Sequence, residues 1–230
     1  MLWLKAWLEI RPRILLVIAF LAFPMVLQVI GPPSRATPIL IQRFLGVYAV
    51  FLAIIPMTLS GTGIQTQSGS FQPMRGGHKS TYFTLSLPVT RSRLLAVRAG
   101  FGMLAGIVLV LVACGLLWAT FPQLQLTWVT AFEYVLAVSV CNCALYSISL
   151  VLATFLDEAL KQLAGMIMVM AGGLYSARGS LPPFIDIFRA MGSASPIFTH
   201  TLPWVAMAGS LGISVILFLA ALKIVQTREY

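Results

Sequence analysis

This sequence has few charged residues for its length. Of its 230 residues, 9% are charged and 59% are hydrophobic. Asp and Glu together account for six residues. Because soluble domains carry roughly a quarter charged residues, this composition excludes an ordinary soluble protein and predicts an integral membrane protein. The length allows about six spanning segments of roughly 20 residues each. These segments must be helical, because a backbone in lipid has to satisfy its own hydrogen bonds.

Motifs for catalysis and nucleotide binding are also lacking. The stretch GGHKS at residues 76–80 does not have the Gly-x-x-x-x-Gly-Lys spacing of a phosphate-binding loop, and there is no His-Glu-x-x-His or Gly-x-Ser-x-Gly. The three cysteines lie within apolar runs, which favours buried thiols over a metal site. We therefore expect no catalytic residue, cofactor or metal on this chain.

Hydrophobic runs between polar breaks predict an all-α membrane protein that forms one domain over residues 1–230. The six predicted spans are residues 14–30, 38–61, 94–120, 128–155, 163–175 and 204–225. Residues 1–13 combine Leu, Trp and Ile with Lys, Arg and Glu, which is typical of an interfacial amphipathic helix. Residues 178–203 are Pro-rich, semi-apolar and too broken to cross a bilayer.

The distribution of Lys and Arg predicts the orientation of these spans. Eleven cations fall on one side: Lys5, Arg11, Arg13, Arg75, Lys79, Arg91, Arg93, Arg98, Lys161, Lys223 and Arg228. Four fall on the other side: Arg35, Arg43, Arg178 and Arg189. Both termini and the long polar segment after the second span are therefore predicted to be cytoplasmic. The net charge of +9 is dispersed at segment ends, which favours anionic lipid headgroups as partners over nucleic acid.

Two polar residues within the fourth span are candidates for a pathway across the membrane. A carboxylate in hydrocarbon is costly, so Glu133 is a functional candidate unless it reaches the outer headgroup region. Asn142 either forms a hydrogen bond between helices or lines a cavity. Asp157, Glu158 and Lys161 are predicted to form a short cytoplasmic loop, which is either a solvated turn or a contact for a cytoplasmic partner.

The longest polar interruption, residues 76–98, has an apolar surface of its own, formed by Tyr82, Phe83, Leu85 and Leu87. Pro88 predicts a helix break beside these residues. Arg91, Arg93 and Arg98 then fall in the first turns of the helix that becomes the third span, where the helix dipole disfavours cations. Headgroups, topology or an acidic partner must offset that cost. The residues alone leave two interpretations open, an interfacial anchor or a docking element.

The stretch TLSLPVTRSRLL, residues 84–95, resembles the loop between the second and third spans of type-2 ABC exporter permeases. The layout is similar as well, with an amphipathic N-terminal helix, six spans, cytoplasmic ends and a broken segment before the last span. The resemblance implies a coupling helix that docks on a separate ATPase subunit, with ATP and Mg on that subunit. It also implies a second permease copy or homologue, and extracellular re-entrant helices within residues 181–203.

The leading hypothesis is the membrane subunit of an ATP-driven exporter of amphipathic or lipid-like substrates in a bacterial plasma membrane. Coupling to the ATPase is assigned to a set of residues at the predicted cytoplasmic side: Tyr82, Phe83, Leu85, Leu87, Pro88, Arg91, Arg93, Asp157 and Glu158. The first alternative is a non-transporting membrane anchor for a soluble partner. The second is an intramembrane enzyme, which requires Glu133, Asn142 or His200 in a shared cavity.

Overall fold

The computed structural model describes residues 2–30, 38–60, 91–156 and 158–227, and the regular structure within these ranges is helical. One short 3-10 turn, Pro122–Leu124, accompanies α-helices with these bounds: α1 Leu2–Ile30, α2 Pro38–Leu59, α3 Arg91–Thr120, α4 Trp128–Phe155, α5 Glu158–Ala177, α6 Ile187–Met191, α7 Pro196–Thr199 and α8 Trp204–Thr227. Four of them, α2, α3, α4 and α8, are long and apolar enough to cross a membrane. The chain therefore has the character of an integral membrane protein.

The long apolar helices follow the predicted spans closely. α4 begins and ends at the predicted residues, and its start is fixed by Thr127, whose side chain accepts a hydrogen bond from the backbone N–H of Thr130. α3 places Arg91 and Arg93 in its first turn, as predicted. The cysteines agree with the prediction of buried thiols, since Cys114 and Cys141 are buried and Cys143 is half-buried.

The N-terminal segment differs from the prediction. A separate interfacial helix over residues 1–13 was expected before a span over residues 14–30, but α1 runs without a break from Leu2 to Ile30. Extending an existing helix costs less free energy than nucleating a second one, so Pro12 alone does not end it. Arg13 lies at the expected boundary between the two helices and contacts α2. Its Nη1 donates a hydrogen bond to the carbonyl oxygen of Thr58 at 3.1 Å.

The prediction of a short loop that includes Glu158 and Lys161 is also wrong, because both residues lie in a helix. α5 begins at Glu158, so Lys161 and Gln162 belong to its first turns instead of a solvated turn. The Lys161 side chain is 1% exposed. A lysine turns inward in this way when its apolar stem packs among helices and its ammonium finds an acceptor, which is the case here (see below).

Side-chain contacts define two ends of the helix bundle. At the basal end, where α2 ends and α3 begins, Ser60 contacts Ser149 of α4. At the distal end, where α2 begins, the ring centroids of Phe44 and Phe121 lie 5.1 Å apart. Consecutive long helices therefore run in opposite directions.

Of the described Lys and Arg positions, eight lie toward the basal end: Lys5, Arg11, Arg13, Arg91, Arg93, Arg98, Lys161 and Lys223. Three lie toward the distal end: Arg43, Arg178 and Arg189.

The short helices α6 and α7 pack into the distal part of the bundle. Asp186 fixes the start of α6, because its carboxylate accepts hydrogen bonds from the backbone N–H of Arg189 and the hydroxyl of Ser176. Gly192 lies so close to Gly46 that a Cβ on Gly192 would be 3.0 Å from the Gly46 Cα. Gly46 is eight residues from the start of α2, which is about 12 Å along the helix axis. The segment that contains α6 and α7 therefore reaches about 12 Å into the bundle from the distal end.

Candidate functional site

The last turn of α2 is where side chains from three other helices converge. A helix ends with carbonyl groups that have no partner in the helix itself. Here the carbonyl oxygen of Met57 lies within 3.2 Å of the Ser60 hydroxyl, 3.4 Å of the Ser149 hydroxyl and 3.5 Å of Gln162 Nε2. The neighbouring Thr58 carbonyl accepts from Arg13. We call Arg13, Met57, Ser60, Ser149, Lys161 and Gln162 the basal junction.

Lys161 is the buried cation of the basal junction. Its Nζ donates a hydrogen bond to Ser60 Oγ at 3.1 Å, and Ser60 Oγ lies 2.6 Å from Ser149 Oγ. A protonated amine can only donate, so Ser60 Oγ accepts from it and donates its own O–H in a hydrogen bond, either to Ser149 Oγ or to the Met57 carbonyl. The negative end of the α2 dipole also favours a cation at this position. The junction thus ties the end of α2 to α4 and α5 through one connected set of hydrogen bonds.

A second polar feature is a cavity between α2, α3 and α4. Its empty volume is about 310 Å³ with the open space at its mouth included, and most of its lining is apolar. The polar groups come from α4, where Ser139, Asn142 and Tyr146 fall at intervals of three and four residues and so share one helix face. Across from them α3 contributes Gly102 and Gly106. We call this space the α3–α4 cavity.

The two glycines of α3 that line the cavity differ in how closely α4 approaches them. A Cβ on Gly102 would overlap the hydroxyl of Tyr146, so only glycine fits there without a shift of the tyrosine. A Cβ on Gly106 would meet nothing nearer than Leu59 Cδ1 at 3.9 Å, which is ordinary contact. The Gly-x-x-x-Gly pair therefore has two different roles, close helix approach at Gly102 and open space at Gly106.

Pro56 explains how Asn142 is oriented. A proline within a helix has no N–H to offer the carbonyl four residues earlier, which here is Leu52. The Asn142 side-chain Nδ2 donates to that carbonyl oxygen at 3.4 Å. The amide oxygen then points elsewhere, and both Asn142 Oδ1 and Ser139 Oγ are buried without a hydrogen-bond partner in the described part of the chain. Asn142 therefore fits both predicted roles, an interhelical bond and a cavity lining.

The other predicted site residues are not brought together in this way. Glu133 is half-buried nine residues before Asn142, about 13 Å along α4, and the residues that line the α3–α4 cavity include neither Glu133 nor His200. Arg93 is exposed in the first turn of α3, and Glu158 is the first residue of α5. The predicted coupling residues outside the described part of the chain are Tyr82, Phe83, Leu85, Leu87, Pro88 and Asp157.

Sequence reasoning missed the basal junction. Ser60 and Ser149 appear in the sequence as ordinary small polar residues near helix ends, and Lys161 as a loop cation. One signal was available: Lys161 and Gln162 precede an apolar run directly, so a helix that started a turn earlier would carry them into the bundle. No family model, curated protein or solved structure matches the chain.

Proposed function

We propose that this chain is the transmembrane subunit of an ATP-driven exporter of the kind that type-2 ABC permeases form. It works with separate cytoplasmic ATPase subunits that carry ATP and Mg, and with a second permease copy or a homologue. In this proposal α1 and α5 also cross the membrane, which makes six spans. The basal end faces the cytoplasm, since the described cations favour it eight to three.

The basal junction is the observation that carries the proposal. In the sequence, residues 61–90 follow Ser60 directly and precede Arg91, and they include Leu85, Leu87 and Pro88 of the stretch that resembles the family's coupling region. Ser60 is bonded to α4 through Ser149 and to α5 through Lys161. A force applied to this segment by an ATPase therefore acts on several helices at once. An anchor needs only a surface for its partner, so in an anchor the junction would stabilise the bundle without transmitting force.

The remaining parts of the proposal follow from the same arrangement. α6 and α7 form an extracellular re-entrant hairpin at the distal end. The exposed faces of the long helices are apolar and suit an amphipathic or lipid-like substrate as well as the surrounding lipid. The net charge of +9 suits the anionic lipids of a bacterial plasma membrane.

Co-expression with candidate ATPases, followed by pull-down and an ATP-hydrolysis assay, tests the proposal. We expect one ATPase to co-purify with the tagged chain, and the double variant Leu85→Asp/Leu87→Asp to lose it. The matched control is Gln226→Asp/Thr227→Asp, which adds the same charge at exposed positions of the basal end and should retain the ATPase.

Two results would count against the proposal. If no ATPase associates with the chain, the assignment to an ABC exporter is wrong. If an ATPase associates but no ATP-dependent export of any tested amphiphile depends on it, the chain is the non-transporting anchor.

A further inference from the structure

The α3–α4 cavity combines two buried polar atoms with apolar walls. Asn142 is 8% exposed, and its Nδ2 is already used on the Leu52 carbonyl, which leaves Oδ1 as an acceptor. Ser139 Oγ, on the same helix face one turn away, is also buried without a partner in the described ranges. A buried polar atom without a hydrogen bond costs about 1–3 kcal/mol, so this pair of atoms favours a bound group that supplies the missing bonds.

The chemistry of the pair restricts what can bind. Asn142 Oδ1 only accepts, so the ligand must donate a hydrogen bond, whereas Ser139 can donate to the ligand in return. A hydroxyl is the smallest uncharged group that both donates and accepts, so it can satisfy both atoms at once. A charged headgroup is excluded, because no described cation or anion lines the cavity and an unpaired charge is far more costly to bury than a hydroxyl.

We propose that the α3–α4 cavity is a binding site for one uncharged hydroxyl group. The inference goes beyond the proposed export function, since it requires neither an ATPase nor transport. The hydroxyl belongs either to a water molecule or to a single-chain alcohol that enters from the bilayer. The second source is accessible because Ile107 lines the cavity while being 44% exposed, and Leu104, Val108 and Leu111 continue the same exposed apolar surface of α3.

Two glycine variants make a matched pair for the test. Gly106→Ala adds a methyl group beside the cavity with no neighbour closer than 3.9 Å, so the helix should fold normally while the space shrinks. Gly115→Ala adds the same methyl group to the same helix at a position with nothing within 4 Å, away from the cavity lining. Ser139→Ala removes one hydrogen-bonding atom and leaves the space open.

The alcohol is tested by photolabelling in phosphatidylcholine nanodiscs, using a diazirine-bearing hexadecanol and its methyl ether. We expect the alcohol to label the peptides around Gly106 and Asn142 about three- to tenfold more than the ether, the ratio expected for one net hydrogen bond. Gly106→Ala and Ser139→Ala should reduce labelling to the level of the ether, whereas Gly115→Ala should not.

Water is tested in nanodiscs without alcohol by X-ray hydroxyl-radical footprinting, with Cys143 of the cavity lining as the reporter. Bound water predicts oxidation of Cys143 above that of Cys114 and Cys141, and a loss of this excess in Gly106→Ala. A positive result in either assay supports the site and identifies the source of the hydroxyl. Equal labelling by alcohol and ether, together with no Cys143 oxidation that depends on Gly106, would overturn it.

Discussion

The hydrogen bond between Lys161 and Ser60 predicts a measurable energetic coupling. Lys161→Met keeps the length and packing of the stem but removes the ammonium. Hydrogen bonds to charged groups contribute about 1.5–3 kcal/mol, and part of this loss is offset because no charge is then buried. We therefore expect Lys161→Met to lower the free energy of unfolding by about 1 kcal/mol.

Ser60→Ala should cost more than Lys161→Met. It removes the 3.1 Å hydrogen bond that the buried ammonium donates and the 2.6 Å contact with Ser149, and the loss of a hydrogen bond to a charged group costs about 1.5–3 kcal/mol. In the double variant Ser60→Ala/Lys161→Met the ammonium is absent, so the cost of removing its acceptor disappears. The two changes together should then cost about 1–2 kcal/mol less than their sum.

Denaturant unfolding of the purified chain and its variants in one detergent measures this cycle. The matched control replaces Ser60→Ala by Ser147→Ala, which removes a buried serine of α4 that bonds to Ser214 of α8 at 2.9 Å instead. Additivity of Ser60→Ala with Lys161→Met to within about 0.5 kcal/mol would refute the junction as a connected set of bonds. Additivity of the control pair is expected.

Two further variants test the packing that positions these sites. Gly102→Ala should lower stability by about 1–3 kcal/mol, because its methyl group overlaps Tyr146, whereas Gly115→Ala should be neutral or stabilising; thermal unfolding of both variants checks this. Asp186→Ala should cost about 1–2 kcal/mol and loosen α6, while Asp186→Asn, which retains an acceptor for the Arg189 N–H, should cost less. Limited proteolysis near α6, compared between the two Asp186 variants, would contradict this cap if it failed to tell them apart.

Helix bounds were predictable where an apolar run and a local signal agree. α4 illustrates this, since Thr127 caps its start and the apolar run ends at Leu156, the residue that follows the helix. The start of α5 was not predictable from hydropathy, because Glu158, Lys161 and Gln162 resemble a polar loop. What places them in a helix is tertiary: Lys161 has an acceptor in Ser60, a residue 101 positions earlier in the chain.

The α3–α4 cavity was only half predictable. Asn142 was recognised as a polar residue in a span, and the two possible roles assigned to it both apply. Its orientation depends on Pro56 of another helix, which frees the Leu52 carbonyl, and the packing of α2 against α4 is not encoded in either segment alone. Glu133 had the same sequence signal as Asn142 but lies outside the cavity lining, since charge and hydropathy do not reveal which helix face meets a neighbour.

Site-specific photo-crosslinking from residue 85 in native membranes tests the central claim most directly. A benzoylphenylalanine at Leu85 should capture one ATP-binding-cassette protein, identified by mass spectrometry. The same group at Gln123, an exposed residue of the distal end, should not capture it. If residue 85 captures only lipid, or captures proteins without an ATP-binding cassette, no ATPase docks on the region around Leu85 and the proposed coupling is wrong.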